Sequence, residues 1–178
     1  IAPAIIYFVA RREMSPAIAK MVAFVVAGAA SVLGAAVLAL LWMVQEQVLP
    51  SLESNAFLIV AVALPVVLLN SYLLGIVQGL QDFVSYNKIM MIEPASSVIV
   101  TIVLVETVGL TATRALAAWT TGHFTALSVS LFLTRARFVE SVCEYVDRNF
   151  RETLNQVFGY GWRAHLANAM SYLIYRTD

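Results

Sequence analysis

Four stretches of the chain, residues 21–44, 56–77, 89–110 and 115–133, are apolar almost throughout. At a rise of about 1.5 Å per residue, each is long enough as a helix to cross the roughly 30 Å hydrocarbon core of a bilayer. A helix satisfies its own backbone hydrogen bonds where lipid cannot, and the alternating pattern of a membrane β-strand is absent. The spacing therefore predicts four transmembrane helices. Composition agrees: 61% of the residues are hydrophobic and 12% charged, against about 45–50% and about 25% in a soluble domain. That much apolar surface cannot be hidden inside a water-soluble fold of this size.

Around these spans, the chain opens at Ile1 within an apolar stretch, residues 1–10, too short to cross a bilayer. It lacks the basic leader and small-residue cleavage site of a signal peptide. The chain stops at Asp178, partway through another apolar run that begins near Trp162. Both ends read as interior to a longer membrane protein. The one long polar connection, residues 134–163, carries Phe138, Val142, Val146, Phe150, Leu154 and Phe158 at four-residue spacing, with Glu144, Asp147, Arg148, Arg151 and Glu152 on other faces. This predicts an amphipathic helix on the membrane surface, with Cys143 on it as a plain thiol and Gly159-Tyr-Gly161 as a turn. The expected class is an all-α, polytopic transmembrane bundle of four full spans and two partial ones. Its organisation is an N-terminal lobe at 1–133, an amphipathic linker at 134–161, and the start of a further helix at 162–178.

Charge placement gives an orientation. The net charge is zero, 11 Lys+Arg against 11 Asp+Glu, but the cations are not spread evenly. Residues 11–20, 78–88 and 134–163 together hold nine Lys and Arg, whereas 45–55 and 106–114 hold one. The positive-inside rule puts the nine in the cytoplasm. The balance also excludes a nucleic-acid partner, which calls for a basic excess. In the first span Ala23, Ala27, Ser31, Ala35 and Ala39 recur every fourth residue, a face for close helix packing or for lining a path.

Enzymatic chemistry is missing. His123 and His165 lie in different spans, one cysteine makes no multi-cysteine metal site, and no His/Glu spacing suits a metal. There is no phosphate loop and no Gly-x-Ser-x-Gly elbow. No catalytic residue, metal or cofactor is expected. What remains are polar residues at membrane depth, each costing about 2.5–3.5 kcal/mol if charged at the centre. Arg176 and Asp178 stand near mid-bilayer on nearly opposite faces of the last helix, lining a polar path or holding an interhelical salt bridge. Glu93, one turn inside the third span, reads as a proton or cation ligand or as a carboxylate eased by the nearby helix N-terminus. It precedes Pro94, which bends the helix. His123, beside Gly122, reads as a hydrogen-bonded packing residue or a proton relay.

The order of these features resembles a known family. The run Gly-Ile-Val-Gln-Gly-Leu-Gln-Asp-Phe at 75–83, the Val-Gly-Leu-Thr-Ala entry to the next helix at 108–112, and the Phe-Gly-Tyr-Gly-Trp-Arg at 158–163 ahead of an Asp-bearing helix are similar to polysaccharide flippases. These are the O-antigen and exopolysaccharide transporters of the multidrug/oligosaccharidyl-lipid/polysaccharide exporter superfamily. The resemblance implies a multi-pass protein of a bacterial or archaeal cell (inner) membrane. It would turn an undecaprenyl-diphosphate-linked oligosaccharide across the bilayer by rocking two lobes, with a proton or sodium ion as coupling ion. It further implies Arg176 as an attractor of diphosphate or acidic sugars, and Asp178 as a cation ligand or partner of an arginine. The competing functions are a multidrug extrusion antiporter of the same superfamily, a membrane-embedded polymerase or glycosyltransferase, and a scaffold subunit.

Overall fold

The computed structural model describes residues 1–44, 54–109, 111–135 and 150–176, with no side-chain account of Ser54, His165 or 168–176. Of the described residues 91% are helical and none lies in a strand. The helices are α1 (Ala2–Ala10), α2 (Pro16–Met43), α3 (Ser54–Gly79), α4 (Phe83–Val108), α5 (Ala112–Thr134) and α6 (Phe150–Arg176). α2 to α5 are long and apolar enough to cross a membrane, so the chain has the form of a multi-pass membrane protein.

Local signals set the helix starts. Ser15 accepts a hydrogen bond from the Ile18 N–H at 3.2 Å, with Pro16 as the first residue of α2. Asp82 likewise accepts from Ser85 N–H at 3.2 Å ahead of α4, and Thr111 from Arg114 N–H at 3.3 Å ahead of α5. The turns into α2 and α4 are tightened by Arg12 and Gln81, both in the left-handed region at φ 57° and 58°. Such short connections make consecutive helices antiparallel neighbours.

α3 is the hub, packed against α1, α2 and α5, while α4 packs chiefly on α5. The main core gathers where the start of α2, the end of α3, α1 and α6 meet, around Ile5, Val9, Val22, Leu73, Ile76 and Val157. Gly79 matters there: a Cβ on it would lie 2.8 Å from Val9 Cβ, so the absence of a side chain lets α1 close on α3. Elsewhere the outer faces of α2 and α4 are apolar and open, with Val32, Leu33, Val98, Ile99, Ile102 and Val103 all more than half exposed. In water this would be a large exposed patch; in lipid it is the surface a span requires.

Several expectations shift. The third span is read at 89–110, but the helix begins six residues earlier, because the Asp82 cap carries it through Ser85, Tyr86, Asn87 and Lys88. Gly159-Tyr-Gly161 is not a turn: it lies inside α6, which runs unbroken across residues 161 and 162. Contacts with α1 offset the poor helix propensity of two glycines. Tyr160 stacks on Tyr7 with ring centroids 4.8 Å apart, and Gly161 is buried against Ile1. The four-residue apolar stripe also fails at Phe158, which is 48% exposed while Val157 is fully buried. A 3.6-residue helix turns about 40° per four residues relative to such a stripe, so the buried face passes through Phe150, Leu154, Val157 and Gly161 instead. The rest of the linker stripe, with Cys143, lies outside the described residues. The small-residue face of α2 is buried at Ala23 and Ala27 but exposed at Ala35 and Ala39. There α2 and α3 part around an apolar groove of about 370 Å³ that also includes Leu38, Trp42, Phe57 and Leu58.

Candidate functional site

Polar residues inside the four long helices converge on α5. Beside α3, Ser130 Oγ donates to Asn70 Oδ1 at 3.0 Å, both residues buried. This bond joins two helices where neither side chain can reach water, as polar pairs within membranes do. Most other hydroxyls bond back to their own helix four residues earlier, as in Ser96 to the Ile92 carbonyl, Thr101 to Ser97 and Thr120 to Leu116, and so add no unsatisfied group.

Against α4, His123 Nδ1 lies 3.3 Å from Glu93 Oε2, with the side chains 9% and 30% exposed respectively. Glu93 is the tenth residue after Phe83, and His123 the eleventh before Thr134. At about 1.5 Å per residue both sit roughly 15 Å along their helices from the same end of the bundle. Among the described residues of α2 to α5, every other Asp, Glu, Lys, Arg or His lies within five residues of a helix end: Lys20, Lys88, Glu106 and Arg114. Arg114 reaches back to the carbonyls of Val108 and Gly109, outside the apolar centre. The two deep ionisable side chains thus meet each other.

Three features shape this contact. Gly122 lets the helices approach: a Cβ there would lie 2.6 Å from the Glu93 carbonyl oxygen and would overlap Ser97 Oγ. Trp119 closes one side of the imidazole edge-to-face, with centroids 4.3 Å apart and planes at 81°. Pro94, inside α4, lacks an N–H and leaves the Met90 carbonyl without its helical donor. The contact is close enough for an ion pair but out of line for a hydrogen bond, and both imidazole nitrogens are buried without a hydrogen-bond partner. A cleft of about 570 Å³ lined by Asn87, Lys88, Met91, Ile92, Val129 and Leu133 opens between the same two helices toward their Phe83 and Thr134 ends.

Of the sequence candidates, the structure brings Glu93 and His123 together. The longer α4 removes the helix N-terminus as the support for Glu93, and His123 lacks the hydrogen bond of an ordinary packing histidine. Arg176 closes α6, its side chain outside the described atoms, and Asp178 lies outside the described residues. The Asn70–Ser130 bond was not signalled by spacing; Asn70 stands out in sequence only as a polar residue within an apolar run. Among the described residues no cluster of His, Cys, Asp and Glu could hold a metal ion. No family model, curated protein or solved structure matches the chain.

Proposed function

We propose that this chain supplies one lobe of a membrane transporter that turns a lipid-linked oligosaccharide across the cell membrane for surface polysaccharide biosynthesis. The observation that carries a transport role is the Glu93–His123 contact inside the long apolar helices. Two ionisable side chains there are costly for a passive scaffold, and intramembrane ionisable groups characteristically serve ion and substrate pathways. The substrate class comes from the resemblance of residues 75–83, 108–112 and 158–163 to polysaccharide flippases. In this reading the basic end of the bundle, with Arg11, Arg12, Lys20, Lys88 and Arg135, faces the cytoplasm. Arg176 attracts the diphosphate or acidic sugars, and Asp178 holds a coupling cation or an arginine partner. The two lobes rock about a central site, exposing it to each side alternately.

Complementation tests this. The complete gene encoding this chain is expressed in a bacterial strain that lacks its own polysaccharide flippase, and surface polysaccharide is quantified. Export should be restored, and Arg176→Ala or Asp178→Ala should lower it at unchanged membrane protein level. A membrane-inserted protein that restores no export refutes the flippase reading. Full export by both variants refutes the roles given to those two residues.

A further inference from the structure

The geometry points to the Glu93–His123 pair as a proton-binding site within the bundle of long apolar helices, whose occupancy changes the α4–α5 contact. Its use in driving transport rests on the transporter reading; the site itself does not.

The inference starts from charge. With Glu93 ionised and His123 neutral, the pair carries one negative charge in the apolar layer. Uptake of one proton from water by the second imidazole nitrogen gives an imidazolium facing a carboxylate, a pair with no net charge. A buried charge left without its partner costs more than the same charge paired. Histidine is the side chain whose ordinary titration falls between about pH 5 and 8. A proton on Nδ1, 3.3 Å from Glu93 Oε2, puts the positive charge directly beside the carboxylate. Further titratable groups on the helices that pack against the pair are Tyr72 on α3, Tyr86, Lys88 and Glu106 on α4, and Arg114 on α5. None of them forms an ion pair with Glu93 or His123.

A proton fits this site better than an alkali cation. A hard cation needs several oxygen ligands, whereas here one carboxylate faces an imidazole nitrogen. The link to movement is local. Glu93 adjoins Pro94, where α4 has lost a backbone hydrogen bond, and its own carbonyl lies against Gly122. Converting a charged contact to a paired one acts where α4 lacks a backbone hydrogen bond and lies close against α5.

Trp119, edge-on to His123, is a built-in reporter. The complete protein is reconstituted in phospholipid nanodiscs with every other tryptophan replaced by Phe, and its emission is followed from about pH 8 to 5. Emission should be quenched on acidification as the imidazolium forms. His123→Asn should abolish the response. Glu93→Gln should weaken the response, since the counter-charge is lost, and Glu93→Asp should restore most of it, with unchanged helicity in each variant. Sodium at fixed pH should leave the emission unchanged.

The proposal is overturned if the quench survives in His123→Asn or if Glu93→Gln superimposes on the parent. It is equally overturned if sodium alters the emission in a Glu93-dependent way, which would make this a cation site. Export without a proton response refutes this site alone; a proton response without export refutes the flippase reading alone.

Discussion

Gly122→Ala is the sharpest probe of how α4 and α5 meet. The added Cβ would lie 2.6 Å from the Glu93 carbonyl oxygen and would overlap Ser97 Oγ. Ser97 can rotate its hydroxyl away, but the carbonyl belongs to the α4 backbone, so the helices must separate by about 1 Å, an overpacking cost of about 1–3 kcal/mol. Replacing glycine inside a helix also gains about 1 kcal/mol of propensity, which would mask part of that cost. Gly28→Ala supplies the control, because nothing lies within 4 Å of a Cβ at Gly28 on α2. The control should therefore be stabilised by about 1 kcal/mol, and the difference between the two variants isolates the steric term. The assay is reversible unfolding in mixed micelles, read by helicity against denaturant. Gly122→Ala should be less stable than Gly28→Ala by about 1–3 kcal/mol, a factor of roughly 5 to 150 in the unfolding equilibrium. Adding Ser97→Ala should recover only part of the loss, since the carbonyl contact remains. Equal stabilities of the two glycine variants would refute a backbone contact at this point.

Ser130→Ala removes the donor to Asn70 and leaves a buried amide oxygen unpaired, so it should destabilise by about 1–2 kcal/mol. Asn70→Leu with Ser130→Ala should cost less than the two single losses added together, and strict additivity in that double-mutant cycle would refute the coupling. Orientation is tested by Ser51→Cys and Ser141→Cys in a Cys143→Ser background, labelled with a membrane-impermeant thiol reagent. Residue 51 should label from outside and residue 141 only after the membrane is opened; labelling from one side alone would refute the charge-based orientation.

The helices were legible because apolar length is a property of each segment alone. Residues 21–44 and 56–77 yield α2 and α3 with ends displaced by a few residues, as hydropathy marks the apolar part of a helix and not its caps. The same limit misplaced Glu93, since Asp82, Asn87 and Lys88 read as loop until the cap at Asp82 joins them to α4. Gly159 and Gly161 read as a turn on propensity, which the α1 contact overrides. The meeting of Glu93 and His123 could not be read at all. Each was visible as an ionisable residue in an apolar run, but their contact depends on how α4 and α5 are rotated about their axes. Gly122 permits the approach, and its role appears only once the Glu93 carbonyl is found against it.

The location of the pair also bears on what a change in its charge can do. α4 is the least buried of the four long helices, with Ile89 its one fully buried residue and α5 its main neighbour. α5, by contrast, is also held to α3 through Asn70–Ser130 and through the buried Ala126 with Val77. A charge change at Glu93–His123 therefore acts between a helix held to α3 along its length and one that joins the bundle chiefly through α5 and Ile89. The anchored side keeps its position, because breaking it would expose the Asn70 amide to the apolar layer at about 1–3 kcal/mol. The peripheral side, already short of one hydrogen bond at Pro94, is the one that yields. Displacement should thus be confined to α4, and spin labels at Ile99 on α4 and Leu64 on α3 should change separation between acid and neutral pH. Labels at Leu64 and at Phe124 on α5 should not. Movement of the α3–α5 pair instead would refute this assignment of the fixed and moving helices.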